Sequence, residues 1–313
     1  MPRHVIDVLR RFIPEFRSSR PILHEAQHRA LWAITHCRTA MMGGHLYVCE
    51  DCGKSVYAYH SCNHRSCPLC GKSDTAQWVE RELEKRVNAP YFMVTFTLPS
   101  ELRDLFFGKL AKQAFDLFFA ASSAALSEKL ASKRWLGAKR SGFTGVLHTW
   151  NQQLQFHPHI HYIVPGGGLD AKDRFMRVKN ANFLVPVRVL SGAFRASFRA
   201  HLAALGWEVD PAVWRKDWGV DIRPFGSGAN AIKYLGAYVC RTAIGDSRIV
   251  AMDDQTVSFS WKDRAHSGRQ RVSKIAGIEF IARYLRHVLP RGMRSIRYFG
   301  FCHPAAKRTR ERV

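Results

Sequence analysis

The stretch QLQFHPHIHYIVPGGG, residues 153–168, contains the most informative pattern in this sequence. Histidines occupy the alternate positions His157, His159 and His161, and apolar residues follow them until a run of glycines ends the segment. Because successive side chains on a β-strand point to opposite faces, this spacing predicts a strand with three imidazoles on one face. The apolar residues on its other face would pack on a hydrophobic layer.

Three imidazoles on one face present their ring nitrogens to a common point. Imidazole is the commonest protein ligand for transition metals, so the pattern indicates a metal site. A His-x-His pair alone also occurs incidentally or as a fragment of a structural zinc site. The rest of the chain must therefore decide between these alternatives.

The remaining segments predict an α+β protein with an antiparallel sheet and helices, because strands in local and nonlocal pairs alternate with helices. A second strand, FTGVLHTWNQ (143–152), carries His148 beside the histidine strand. Strands are also predicted at PYFMVTFTL (90–98), GVDIRPF (219–225), FLVPVRVL (183–190, an edge strand given its proline) and a hairpin at 247–263 that turns at Asp253-Asp254. Helices are predicted at 73–87, 100–131, 191–205 and 275–290.

A helix with two tyrosines follows the strand at 219–225. Residues 229–240 of the stretch GSGANAIKYLGAYVCRTAIGDSRI predict this helix, and Tyr234 and Tyr238 lie four residues apart in it. They therefore share one helix face, one turn from each other. Such a pair is often part of a core, but two phenols beside a metal-binding strand suggest nucleophiles.

Cysteines are concentrated near the N-terminus, where six of the eight fall within 34 residues. Two Cys-x-x-Cys pairs, Cys49/Cys52 and Cys67/Cys70, are separated by 14 residues, and a glycine follows each pair. This spacing predicts a tetrahedral Zn²⁺ site, whereas a disulfide cluster is typical of secreted proteins. A second site could use the remaining donors Cys37, His45, Cys62 and His64.

The charge balance points to a polyanionic partner. The chain has 48 Lys and Arg against 25 acidic residues, a net charge of +23 and a pI near 10.2. Such an excess attracts nucleic acid or an anionic membrane. The apolar runs are shorter than the roughly 20 residues of a membrane span, and the N-terminus lacks a signal-peptide pattern. We therefore expect a soluble intracellular protein that binds nucleic acid and no membrane.

Taken together, these motifs resemble the HUH rolling-circle transposases of bacterial insertion sequences, two-tyrosine type. The segments that carry the resemblance are CRTAMMGGH (37–45), CEDCG (49–53), YHSCNHRSCPLC (59–70), FHPHIHYIVPGGGL (156–169), YLGAYVCRTAI (234–244) and EFIARYLRHVLPRGMRSIRYFGF (279–301). The resemblance extends over roughly residues 20–302. One departure is Ser66, where relatives would carry a histidine, so the imidazole of the zinc shell is left open.

The resemblance implies a DNA-cutting chemistry. In that family a tyrosine attacks a phosphodiester of single-stranded DNA at the element end, leaving a 5′-phosphotyrosine and a free 3′-OH. Here Tyr234 is the first expected nucleophile and Tyr238 the second. His159 and His161 would hold a catalytic Mg²⁺ or Mn²⁺, while zinc is structural. The candidates for the third ligand are His157, His148, Gln153 and Gln155.

The resemblance also implies a domain order: a zinc-binding, DNA-contacting domain at 1–75, a helical connector at 76–88 and the catalytic domain at 89–313. The expected location is the bacterial cytoplasm, at the nucleoid. A plasmid rolling-circle replication initiator or a relaxase would use the same nickase chemistry. A non-catalytic zinc-dependent DNA-binding regulator would explain the charge and the cysteines but neither the histidines nor the tyrosines.

Overall fold

The structure, a computed structural model, describes residues 4–19, 21–70, 73–239, 242–263 and 266–313. In these ranges the α-helices are α1 (Val5–Ser18), α2 (Glu25–His36), α3 (Ser73–Glu84), α4 (Ala111–Ala131), α5 (Val187–Ala204), α6 (Gly228–Val239), α7 (Gly277–Leu285) and α8 (Lys307–Arg310). The strands are β1 (Gly44–Val48), β2 (Ser55–Tyr59), β3 (Pro90–Thr97), β4 (Gly142–Trp150), β5 (Phe156–Pro165), β6 (Gly167–Leu169), β7 (Phe175–Arg177), β8 (Gly219–Ser227), β9 (Ile249–Met252), β10 (Thr256–Asp263), β11 (Arg269–Ala276) and β12 (Ile296–Gly300).

The chain forms two compact units, and each is made of segments that are distant in sequence. The first comprises Met1–Ala76, Trp150–Phe156 and Cys240–Arg291, and the second comprises Gln77–Thr149, His157–Val239 and Gly292–Val313. Helix α7 and the sheet β11-β10-β9 belong to the first unit, although they follow the histidine strand in sequence. The domain bounds that the resemblance implies stay a prediction.

A five-stranded sheet in the order β12-β4-β5-β3-β8 is the centre of the second unit. The strand pairs whose register is described, β12 with β4 and β3 with both β5 and β8, are all antiparallel. The expected α+β class with an antiparallel sheet is therefore confirmed. The histidine strand β5 lies between β4 and β3.

One face of this sheet is covered by α4 and α5. The ring of Phe96 on β3 lies 4.9 Å from that of Phe194 on α5 and 5.6 Å from that of Tyr162 on β5. The hydroxyl of Tyr162 hydrogen-bonds that of Ser122 on α4 at 2.7 Å, and both residues are buried. Even-numbered residues of β3 and β5 thus supply the hydrophobic layer that the sequence predicts.

The opposite face carries odd-numbered residues. Met93 and Ile163, which are direct cross-strand partners, pack with Trp78 of α3 and Ile232 of α6. Side chains directly opposite each other on neighbouring strands share a face, and His161 is paired with Thr95 two residues farther along. The imidazoles therefore lie on the face that α6 covers.

Two segments differ from their predicted structure. The predicted helix 100–131 is interrupted, because Phe107 is extended and Gly108 has a φ of +72°, so a 3-10 helix (Ser100–Phe106) precedes α4. The predicted edge strand 183–190 is wrong, since α5 begins at Val187 directly after Pro186. A proline at a helix start loses no intrahelical hydrogen bond, so Pro186 is compatible with a helix that begins at the next residue.

The first unit has a core of its own between α1, α2, α7 and the sheet β11-β10-β9. Helices α1 and α7 approach closely at Gly277, where a Cβ would lie 2.1 Å from the ring of Phe12. The hairpin predicted to turn at Asp253-Asp254 is confirmed by β9 and β10. No helix in the described part of the chain is long and apolar enough to cross a membrane.

Candidate active site and metal centres

Three histidines on two neighbouring strands form the first candidate metal centre. The ring nitrogens of His148 on β4 and of His159 and His161 on β5 lie within 4.8 Å of one another. His148 is 3% exposed, while the two β5 histidines are half-buried. The structure therefore brings His148 to the two predicted ligands, which makes its imidazole the candidate for the third ligand that the sequence leaves open.

Two contacts orient the rings of His159 and His161. The Nδ1 of His159 donates to the carbonyl oxygen of His157 at 2.7 Å, and the Nδ1 of His161 lies 2.8 Å from the hydroxyl of Thr95 on β3. An imidazole that donates through Nδ1 is fixed in orientation and has Nε2 left to bind a metal. His159 has this arrangement, and His161 has it when Nδ1 donates to the hydroxyl of Thr95.

His157, the third imidazole of the strand, has a different partner. Arg103 in the 3-10 helix Ser100–Phe106 donates from Nη2 to Nδ1 of His157 at 3.1 Å. Burial and then the charge of Arg103 lower the pKa of His157, so it is held neutral. Gln153 and Gln155 belong to the β4–β5 turn, where both backbone amides donate to the side chain of Asn151.

The tyrosine helix α6 begins directly after β8 and packs on the histidine face of the sheet. Tyr234 is 39% exposed, and its ring lies 5.3 Å from that of Phe225 on β8. At Gly236 a Cβ would lie 2.1 Å from the side chain of Val79, so a larger residue would displace that side chain. The side chain of Tyr238 lies outside the described residues.

Four cysteines form the second candidate metal centre. Their Sγ atoms lie within 4.8 Å of one another, and the Sγ of Cys70 is 3.5 Å from that of Cys37 and 3.7 Å from that of Cys62. The fourth member is Cys67. A tetrahedral Zn²⁺ with Zn–S bonds of about 2.3 Å separates its sulfurs by roughly 3.8 Å. The donor set and spacing fit zinc.

This grouping differs from the ligand set predicted from spacing, because it contains Cys37 and Cys62 and not Cys49 and Cys52. The backbone amide of Arg38 donates to the carbonyl of His60 at 3.1 Å, which closes the base of the hairpin formed by β1 and β2. Residues 37 and 62 therefore meet. Cys49 and Cys52 lie exposed at its tip, about 17 Å away at the rise of a strand.

The other proposed zinc donors lie elsewhere in the module. His45 is on β1, where its ring packs at 4.8 Å against that of His60. His64 accepts a hydrogen bond at Nδ1 from the backbone of Ser66 at 3.2 Å. Burial raises the pKa of Cys62 to about 11 and raises that of Cys67 further, so these thiols need a bound cation to ionise near neutral pH.

Every residue of the β1–β2 hairpin is exposed. Leu46 and Tyr57 are cross-strand partners on one face, and Tyr47 and Val56 are partners on the other. The rings of Tyr57 and Tyr59 stack at 6.1 Å. Both faces of this ribbon thus present apolar and aromatic side chains.

Comparison of the sequence with known proteins identifies the family of this chain. A family model described as "Putative transposase" matches residues 142–310, and one described as "Transposase zinc-binding domain" matches residues 8–98. The chain is 37% identical to "Putative transposase y4qJ" of Sinorhizobium fredii over 95% of this chain and 79% of that protein. It is 28% identical to the "Transposase for insertion sequence element IS801" of Pseudomonas savastanoi pv. phaseolicola, over 89% and 71% of the two chains.

A solved structure, the conjugative relaxase TrwC in complex with oriT DNA, matches 41% of this chain and 48% of its own with 15% identity and a TM-score of 0.33. The two family models and the relative that is 37% identical place the protein in the transposase class. The chain belongs to the family of insertion-sequence transposases that carry an N-terminal zinc-binding domain. The resemblance seen in the sequence motifs is confirmed.

Proposed function

We propose that this transposase nicks and rejoins single-stranded DNA through a 5′-phosphotyrosine intermediate, with Tyr234 as a nucleophile. One observation carries the proposal: the imidazoles of His148, His159 and His161 lie on the sheet face that the tyrosine helix α6 covers. A phosphodiester bound on this face would meet both groups. The half-exposed phenol of Tyr234 is accessible to a DNA strand.

The reaction is a transfer of a phosphoryl group between two oxygens. The Oη of Tyr234 forms a bond to phosphorus, and the bond from phosphorus to the 3′ oxygen breaks. The phenolic proton is lost, and the departing 3′ oxygen gains one. Because the phosphotyrosine ester retains the bond energy, a 3′-OH can reverse the step and join the strand without ATP. Tyr238, one turn later, would serve a second strand.

The three imidazoles fit a divalent ion. When bound by His148, His159 and His161, such an ion supplies positive charge that offsets the charge developing on the phosphoryl oxygens. Mg²⁺ prefers an octahedron of oxygen ligands. Mn²⁺ is a first-row transition-metal ion, and such ions bind imidazole nitrogens. Of the two expected ions, the donor set therefore favours Mn²⁺.

The test is covalent capture of DNA. A randomised single-stranded library labelled at its 3′ end is incubated with the protein and Mn²⁺, and the products are separated on a denaturing gel. Labelled DNA should migrate with the protein. The double variant Tyr234→Phe/Tyr238→Phe should form no such species, whereas Tyr57→Phe, a matched change at an exposed tyrosine of the hairpin, should retain it.

Histidine variants complete this experiment. His159→Ala and His161→Ala should abolish the covalent species and leave DNA binding intact. Adducts that persist in the double tyrosine variant would refute the nucleophile assignment. Loss of DNA binding in the histidine variants would instead assign those residues to the fold. A non-catalytic regulator would bind DNA and form no adduct in any variant.

The zinc-binding module would contact the DNA as well as carry zinc. We assign the ion to Cys37, Cys62, Cys67 and Cys70, and we place the DNA contact on the exposed β1–β2 hairpin. Aromatic rings stack on bases in single strands, at about 1–3 kcal/mol per base. Element-end DNA in the bacterial cytoplasm, at the nucleoid, is the proposed partner.

The hairpin contact has its own test. Tyr57→Ala/Tyr59→Ala should weaken single-stranded DNA binding by about tenfold or more, in line with the loss of one or two stacked bases. The matched variant Tyr57→Phe/Tyr59→Phe, which keeps both rings, should bind as the wild type does. Equal affinity of the alanine variant and the wild type in a fluorescence anisotropy titration would remove the hairpin from the DNA contact.

A further inference from the structure

Arg103 lies at the end of the sheet where the histidine strand begins. Its 3-10 helix follows β3 closely, and Thr97, the last residue of β3, is the direct cross-strand partner of His159. The guanidinium of Arg103 contacts His157, whose ring lies 5.4 Å from that of His159. The permanent positive charge of Arg103 thus contacts an imidazole that is next to His159 of the candidate metal centre on the same strand face.

At least one N–H donor of the Arg103 guanidinium has no hydrogen-bond partner among the described residues. Among the described residues no carboxylate forms an ion pair with Arg103, and the nearby Glu101 is paired with Lys216. The Nε of Arg103 is buried and has no hydrogen-bond partner in the described part of the chain. A buried donor without a partner is unfavourable, so hydrogen bonds to described protein groups do not account for the placement of this guanidinium.

We infer that Arg103 binds an oxygen of the scissile phosphate and that His157 is the positioning residue that holds its guanidinium. The inference rests on the proposed nickase function and adds a catalytic residue to it. An arginine presents several donors in a planar fork that matches phosphate oxygens. Its charge would stabilise the phosphoryl group as negative charge builds on the oxygens.

This assignment also accounts for the third imidazole of the strand. The metal-ligand group contains only His159 and His161 from β5, together with His148 from β4. His157 accepts at Nδ1 from the arginine and therefore carries its proton on Nε2. The three histidines of the strand then have two roles on one face. His159 and His161 would bind the ion, and His157 would hold the guanidinium of Arg103.

Single-turnover adduct formation tests the role of Arg103. Arg103→Ala should lower the rate by about 10²–10³-fold, the usual cost of losing one donor to a developing oxyanion. Added guanidinium ion should raise the rate of adduct formation by Arg103→Ala at least tenfold and should not raise the rate of the wild type. Mn²⁺ affinity and the melting temperature should be unchanged. Arg188→Ala, which removes an exposed arginine of α5 in the same unit, should keep the wild-type rate.

His157 variants separate positioning from packing. His157→Gln retains an acceptor for the guanidinium and should keep a rate within a few-fold of the wild type, whereas His157→Leu should lose about tenfold, comparable to one hydrogen bond of about 1.4 kcal/mol. Arg103→Ala at the wild-type rate would overturn the inference. A loss that guanidinium cannot rescue, accompanied by weaker Mn²⁺ binding, would overturn it as well by making Arg103 structural.

Salt dependence gives a readout that does not require nicking. A lost phosphate contact should lower the slope of log affinity against log salt by about 0.7 for single-stranded DNA. We expect this change for Arg103→Ala and none for Arg188→Ala. A wild-type protein that forms no adduct refutes the proposed function alone, while an unchanged slope for Arg103→Ala refutes the phosphate contact.

Discussion

Replacing Thr95 with valine isolates the hydrogen bond to His161, a proposed metal ligand. The hydroxyl of Thr95 lies 2.8 Å from Nδ1 of His161, and Thr95 is the direct cross-strand partner of that histidine. Valine has nearly the same shape but no hydroxyl. The variant therefore removes the contact and leaves the strand, the ring and the other ligands in place.

The magnitude follows from one hydrogen bond. A net hydrogen bond contributes about 0.5–1.5 kcal/mol, and loss of a partner that orients a metal ligand typically lowers metal affinity or activity by about 10–100-fold. Since about 1.4 kcal/mol is a factor of ten, we expect Thr95→Val to bind Mn²⁺ about tenfold more weakly. The maximal nicking rate at saturating Mn²⁺ should change little, because the ligands themselves remain.

The assay is a Mn²⁺ titration of adduct formation together with calorimetric metal binding. Ser122→Ala is the matched control, because it removes the hydroxyl contact to Tyr162 on the opposite face of the same sheet. It should lower the free energy of unfolding and leave Mn²⁺ affinity unchanged. Equal Mn²⁺ affinity of Thr95→Val and the wild type would refute the assignment of His161 as a ligand oriented through Nδ1.

Three other perturbations give separate predictions. Cys37→Ser should lose the zinc of the four-cysteine group and Cys49→Ser should retain it, as measured by metal content after gel filtration. Gly236→Ala would place a Cβ 2.1 Å from a valine methyl and should cost about 1–3 kcal/mol in denaturant unfolding, whereas Gly192→Ala, where the space is open, should stabilise by about 0.5–1 kcal/mol. Burial lowers the pKa of His287 to about 4. Only the unfolded chain then takes up this proton between pH 6.5 and 4, so stability should fall over that window by about 3 kcal/mol, and His287→Gln should lack this part of the pH dependence.

Local patterns predicted the histidine strand and the tyrosine helix well. The alternation of His157, His159 and His161 is a property of one strand, and strand β5 confirms it. The two-tyrosine segment forms α6 directly after β8, as expected. Both predictions depend only on backbone periodicity, which short-range sequence determines.

Features that depend on contacts between distant segments were not predictable in the same way. Cys37 meets Cys62 because an exposed hairpin folds back on itself, while the spacing of the Cys-x-x-Cys pairs carries no information on where that hairpin closes. Arg103 has no motif of its own, and only its position after β3 brings it to His157. Inclusion of α7 in the first unit likewise follows from long-range packing.

The most direct measurement is identification of the residue that carries the DNA. The covalent species formed with the single-stranded library is digested with protease and nuclease, and the modified peptide is sequenced by mass spectrometry. A nucleotide joined through its 5′ phosphate to Tyr234, or to Tyr238 on the same helix face, is the predicted result. A nucleotide attached to any residue outside α6 would contradict a shared site for the imidazoles of the sheet and the tyrosine helix.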